Sequence, residues 1–304
     1  MSAVADALNQ AKLRVERARA RWSVVDVAVS TFKRFSEDDG GTLAAALTYY
    51  IFFSIFPLLL FAVAILGFVI RGNQELERDI LNAGVDSFPM LRDVLQPSGL
   101  DLFERRAGGL ALTAMALAIY TGTGAVVALE HSLNRIDHQS EEGNFMQKRL
   151  RSLPWLLLLA PAAVATASLA GLANFSREVF GAGSALAAVV AFLSYLGGVI
   201  VSVTVFALAF KLLSRARHSW RDVVPGAIAG ALAFELLKTV GSTYLEAGTK
   251  GREGTFGAFA AAAGLLVVAF LISRITLLAA EFNAVLAERR ITRQPLLNQA
   301  GRQT

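Results

Sequence analysis

Four ionisable residues stand alone in otherwise uncharged sequence. Glu235 and Lys238 are three apart and Arg274 and Glu281 are seven apart, spacings that put each pair on one face of a helix. Carboxylates beside an ammonium or a guanidinium can lock helices together as ion pairs. They can also line a polar cavity for an anionic head group, a proton or another solute, with Lys238 and Arg274 as anion contacts and Glu235 as counter-charge. Asn283, two residues after Glu281, adds an amide to the same cavity. The remaining chemistry is sparse. The histidines, His131, His138 and His218, form no HExxH or HxH pattern, and the chain has no cysteine. Disulfides, iron–sulfur clusters and thiol catalysis are therefore excluded, and no catalytic residue, metal or cofactor is expected.

The elements that must carry these charges are read from where charge is missing. The 304 residues are 55% hydrophobic and 17% charged, with a mean hydropathy of +0.52, against about 25% charged in soluble proteins. Six stretches, 43–70, 107–129, 152–173, 184–210, 223–244 and 256–287, hold only those four of the 29 Lys and Arg and 24 Asp and Glu. Runs of about 20 residues without charge match a hydrocarbon core about 30 Å thick. A transmembrane barrel would alternate over about ten residues instead. The expected fold is all-α: a polytopic bundle of six transmembrane helices, with short amphipathic helices at the N-terminus and in the first external loop, 71–106. The chain divides into a basic cytoplasmic segment, 1–36, a membrane domain, 37–290, and a cytoplasmic tail, 291–304.

Orientation follows from the basic residues. With the N-terminus inside, 19 Lys and Arg flank the spans on the cytoplasmic side and 8 on the other, so both termini are expected in the cytoplasm. Trp22, Trp155 and Trp220 then fall in an inner aromatic belt. No signal peptide is expected in residues 1–36. There Lys12, Arg14, Arg17, Arg19 and Arg21 alternate with Leu8, Val15, Trp22, Val25, Val29 and Phe32. That pattern suits a helix on an anionic inner leaflet, and nucleic acid is not expected as a partner.

Local features describe assembly. Glu37, Asp38 and Asp39 precede span 1, where acids complement the helix dipole. Pro57 should bend that span. Gly122-Thr123-Gly124 in span 2, and the Gly198/Ser202 and Gly226/Gly230 spacings of four, read as close helix packing. Pro225 is placed in the first turn of span 5.

Depth brings the four charges together. At 1.5 Å per residue, Glu235 and Arg274 lie about 20 Å from the inner end, Lys238 about 24 Å and Glu281 about 9 Å. An unpaired charge at mid-bilayer costs at least about 2.5–3.5 kcal/mol, so these groups should face the interior and pair. Glu281 is placed to gate the cytoplasmic side or to reach the interface.

Several segments resemble the YihY/BrkB family of bacterial inner-membrane proteins, once labelled ribonuclease BN. They are Ala45, Ala46, Leu47, Tyr49, Tyr50, Phe53, Ser54 and Pro57 in span 1; Ser132 to Ile136, with Asn134 and Arg135, after span 2; Pro225-Gly226-Ala227 with Glu235 and Lys238; and Phe256-Gly257 through Ala280 to Ala284. The similarity runs over about residues 30 to 290. Phe256, Val268, Asp137 and Arg274 depart from the usual pattern. The resemblance implies a multi-pass protein of the bacterial inner membrane linked to envelope integrity, with a suspected role in lipid or solute transport. A metal-dependent nuclease would need clustered histidines and carboxylates in a water-facing site, which the sequence lacks. The expected function is thus transport through a polar cavity. A membrane scaffold organising envelope partners and an intramembrane enzyme are the alternatives.

Overall fold

The computed structural model describes residues 23–69, 97–140, 143–181, 183–249 and 257–300. The basic stretch 1–22 and residues 71–96 of the first external loop lie outside the described residues, while residues 97–106 of that loop are the start of a long helix. All described elements are helical: α1 (Ser23–Glu37), α2 (Gly40–Val69), α3 (Pro97–Ile136), α4 (Phe145–Phe180), α5 (Ala185–Leu212), α6 (Trp220–Thr249) and α7 (Gly257–Ala300). Each of α2 to α7 is longer than the charge-poor stretch it overlaps. Lipid limits the charge-free length, whereas a helix continues through charged flanks until a cap stops it. Such stops are visible at α5, where Ser184 accepts from the Ala187 N–H, and after α4, where Gly181 turns with φ +81°.

Four helices are long and apolar enough to cross a membrane over Phe145–Phe180, Ala185–Leu212, Trp220–Gly241 and Ala262–Arg290, and Gly40–Ile55 is a shorter apolar helix. Consecutive helices pack from α2 through α7, and α7 returns to α2 and α3, so the six close on one another. The short α1 lies along α7.

The buried core sits at one end of this bundle. Phe35 of α1, Ala44 of α2, Leu133 and Ile136 of α3, Phe210 of α5, Val223 and Ala227 of α6, and Leu277 of α7 form one apolar cluster. Helix α4 has the opposite character, with Leu157, Val164, Leu172 and Phe175 exposed. In a membrane chain an exposed apolar face is one that lipid can cover, so the larger buried apolar side chains gather toward the α1 end while α4 leaves its own exposed.

Pro225 lies six residues into α6, inside the helix, because α6 starts at Trp220. Lacking an N–H, it frees the Arg221 carbonyl, which accepts from Arg290 Nη1 at 2.7 Å. One residue on, the Gly226 N–H donates to Asn283 Oδ1 at 2.6 Å, and Asn283 Nδ2 donates to the Val223 carbonyl at 3.0 Å. Only glycine fits there: a Cβ on Gly226 would lie 2.3 Å from the Ala279 carbonyl oxygen and 2.5 Å from the Asn283 side chain.

Candidate functional site

The Gly226–Asn283 clamp sets the register of the two helices that carry all four isolated charges. Helices α6 and α7 run antiparallel, so nine residues beyond Gly226 stand level with nine residues before Asn283. Glu235 and Arg274 are therefore at one depth, about 14 Å from the clamp. Their side chains nevertheless diverge.

Glu235 is buried and answered locally. Lys238 Nζ, one turn along α6, approaches its Oε1 at 2.7 Å, and Ser202 Oγ of α5 donates to the same oxygen at 2.7 Å. The Lys238 ammonium also stands 5.2 Å from the Phe234 ring centroid and stays 36% exposed. Ser202, whose spacing from Gly198 reads as packing, is thus a polar partner. No sequence periodicity links it to Glu235; only the pairing of α5 with α6 does.

Arg274 makes no ion pair among the described residues. Its guanidinium lies 5.5 Å from the Phe35 ring and 5.6 Å from the Phe270 ring, and the residue is exposed. The expected pairing with Glu235 is thus not formed. Lys238 reaches that carboxylate within a single helix, while the long stem of Arg274 extends toward α1 along apolar surface.

Glu281 lies two turns nearer the α1 end and is fully buried. Arg34 Nε of α1 stands 3.4 Å from its Oε2, and Arg34 Nη1 binds Glu288 Oε2 at 2.8 Å. The Asp38 carboxyl, in the turn between α1 and α2, is its acidic neighbour. Neither carboxyl oxygen of Glu281 has a hydrogen-bond partner among the described residues. Arg34 and Asp38 come from the segment before span 1, which reads in the sequence only as a basic flank and a helix cap. Further along α7, Arg289 pairs with Asp26 at 2.5 Å and Arg290 with Asp222 at 3.0 Å.

Asn283 serves as the backbone clamp described above. Among the span 1 residues, Tyr50 packs where a Cβ on Gly124 would meet it at 3.0 Å, and Tyr49 stacks near Tyr50 and Phe53. Ser54 Oγ donates to the Ile51 carbonyl at 2.8 Å, and Pro57 lies within α2. Thr48 Oγ1 donates to Ser273 Oγ at 3.2 Å, joining α2 to α7.

At the same end of the bundle, Asn134 braces the α5–α6 connection: its Oδ1 accepts the Arg215 N–H at 2.8 Å. Arg135 is exposed. Asp137 accepts from Ser214 Oγ and lies 2.8 Å from His218 Nε2. That hydrogen bond holds His218 protonated above the ordinary histidine range, against the opposing effect of burial. No group of three or more His, Cys, Asp or Glu is gathered as metal ligands among the described residues.

The five cavity candidates therefore fall into three places: Glu235 with Lys238 at mid-bundle, Arg274 on an exposed face at that level, and Glu281 near Asn283 at the α1 end. Comparison with other proteins places this framework in a family. A family profile described as virulence factor BrkB matches residues 31–304. A UPF0761 membrane protein of Chromohalobacter salexigens is 31% identical over 261 residues, 85% of this chain and 62% of that protein, so the chain spans about three fifths of that relative's length. The inner membrane protein YhjD of Escherichia coli K12 is 23% identical over 97% of this chain and 90% of its own. YfkH of Bacillus subtilis 168, named as ribonuclease-like, is 24% identical over 85% and 94%. No solved structure matches. With its family profile covering nearly the whole sequence, the chain belongs to the BrkB family of membrane proteins.

Proposed function

We propose that this protein is a six-span transporter of the bacterial inner membrane that moves a lipid or small solute past a polar site at mid-bundle and thereby supports envelope integrity. Both termini face the cytoplasm, by the excess of Lys and Arg on that side, which makes the α1 end the cytoplasmic end. Its basic flanks rest on the anionic inner leaflet, and no nucleic acid takes part. Translocation needs neither a covalent step nor a resident cofactor.

The observation that carries this reading is the Ser202–Glu235–Lys238 cluster. It combines a buried carboxylate with an ammonium that stays 36% exposed at mid-span depth. A purely structural pair needs no access from outside, whereas a partly exposed ammonium is available to an anionic group. Exposed Arg274 at the same level supplies a second cation.

Reconstitution into liposomes with lipid-flip and solute-flux assays tests the proposal. Glu235→Gln and Arg274→Ala should abolish flux in protein that still folds. Normal flux in both variants would sink the site. A second reading, a membrane scaffold, is favoured by one feature: Glu235 already has two short contacts. Absence of flux for every candidate would transfer the weight to it.

A further inference from the structure

The α1 end of the bundle holds a carboxylate whose surroundings do not satisfy it. Glu281 is 0% exposed and both of its oxygens lack hydrogen-bond partners among the described residues. Among the described residues, the charged groups around it can be named. Arg34 comes from α1, at 3.4 Å, and its guanidinium is divided between Glu281 and Glu288. Asp38 comes from the turn between α1 and α2. Arg274 stands on the same face of α7, two turns deeper, with its guanidinium against Phe35 and Phe270. Two acids, Glu281 and Glu288, thus share one guanidinium, and a third, Asp38, stands beside Glu281. A buried carboxylate with one shared cation and an acidic neighbour is poorly solvated, and a single proton taken up by the two carboxyls relieves both desolvation and repulsion.

A route to the surface is built into the same place. Nδ1 of His138, just past the end of α3, lies 4.0 Å from Asp38 Oδ1. Side-chain exposure falls in order along the series: 68% at His138, 14% at Asp38 and 0% at Glu281. The two turns that align them are set by left-handed residues, Asp39 with φ 58° and His138 with φ 51°. Asp and His tolerate this conformation better than most residues, so these side chains are held in register by the backbone.

We propose that His138, Asp38 and Glu281 form a proton-uptake path from the cytoplasmic surface, ending at a proton held between Asp38 and Glu281. The imidazole takes a proton from water and passes it to Asp38, which shares it with Glu281. Arg34 fixes the position of the acceptor and ties its protonation to the seating of α1 on α7. The proposal rests on the transport reading for its purpose, the coupling of movement to a proton, and on the orientation given above.

The test is infrared spectroscopy of the full chain in lipid nanodiscs with no solute present, so that failure to find a transported substrate leaves the result standing. Wild-type protein at neutral pH should show a protonated-carboxyl carbonyl band that Glu281→Gln removes and Glu281→Asp shifts. His138→Asn, which keeps a residue that tolerates the left-handed turn but removes the imidazole, should keep the band but slow its response to deuterium oxide. Absence of the band in wild type, or its persistence in Glu281→Gln, would overturn the buried proton. Unchanged deuterium exchange in His138→Asn would overturn the path.

Discussion

The carboxylate at mid-bundle and the one at the α1 end are answered in opposite ways. Glu235 is met by an ammonium and a hydroxyl, each at 2.7 Å. Glu281 is more completely enclosed, yet its nearest cation stands at 3.4 Å and is shared. The difference lies in where the partners come from. Lys238 is one turn away on α6, so that pair forms with its own helix. Arg34 reaches Glu281 only after the first helix has docked on the last. Burial measures how far a charge is from water, and the source of its partners decides whether it is compensated.

The comparison can be broken by removing the register on which it depends. Gly226→Ala drives a methyl into the Ala279 carbonyl and Asn283. Overpacking of about 1–3 kcal/mol, together with about 1–3 kcal/mol for a buried polar group left unpaired, should show as a large loss of thermal stability in detergent. A variant as stable as wild type would mean that α6 and α7 are not clamped here. Asn283→Ala removes the partner without adding bulk and should cost about 2 kcal/mol by the same measurement.

Two isosteric changes sharpen the contrast directly. Glu235→Gln leaves Lys238 without its counter-charge, and because that ammonium is partly exposed the cost should be about 1–2 kcal/mol. Glu281→Gln relieves an acid pair and should cost less than about 1 kcal/mol. Denaturant or thermal unfolding of the two side by side decides the matter, and a larger loss at Glu281 would invert the ranking. The smallest effect concerns His218. Its protonated form is favoured in the folded protein, so its stabilisation is full in acid and fades as pH rises through the raised value. The melting temperature of wild type should exceed that of His218→Gln by most at low pH, and a gap that widens in alkali would contradict the Asp137 contact.

Much of the helical framework is legible in the sequence, because lipid imposes a strict condition: charge must vanish over each span. The partners of the charges are not legible in the same way. Depth follows from counting residues, and the clamp puts Glu235 and Arg274 level. The direction in which each side chain leaves its helix depends on which neighbour covers that face. Ser202 meets Glu235 because α5 packs on α6, and Arg34 and Asp38 meet Glu281 because α1 lies along α7. Residues before the first span do show an amphipathic period, but it reads as a helix lying on the leaflet and does not say that one face meets α7. Pro225 did hold a clue: a proline within a helix leaves one carbonyl open, and Arg290 fills it.

That open carbonyl bears on how the protein is made. Until α7 has been synthesised, the Arg221 carbonyl and the Gly226 N–H have neither Arg290 nor Asn283 to bind. Helix α6 alone would leave the carbonyl freed by Pro225 without a partner, a state that lipid penalises. The two helices should therefore be more stable as a hairpin than apart, and a nascent chain stopped after α6 should be held in the bilayer less firmly than one that includes α7.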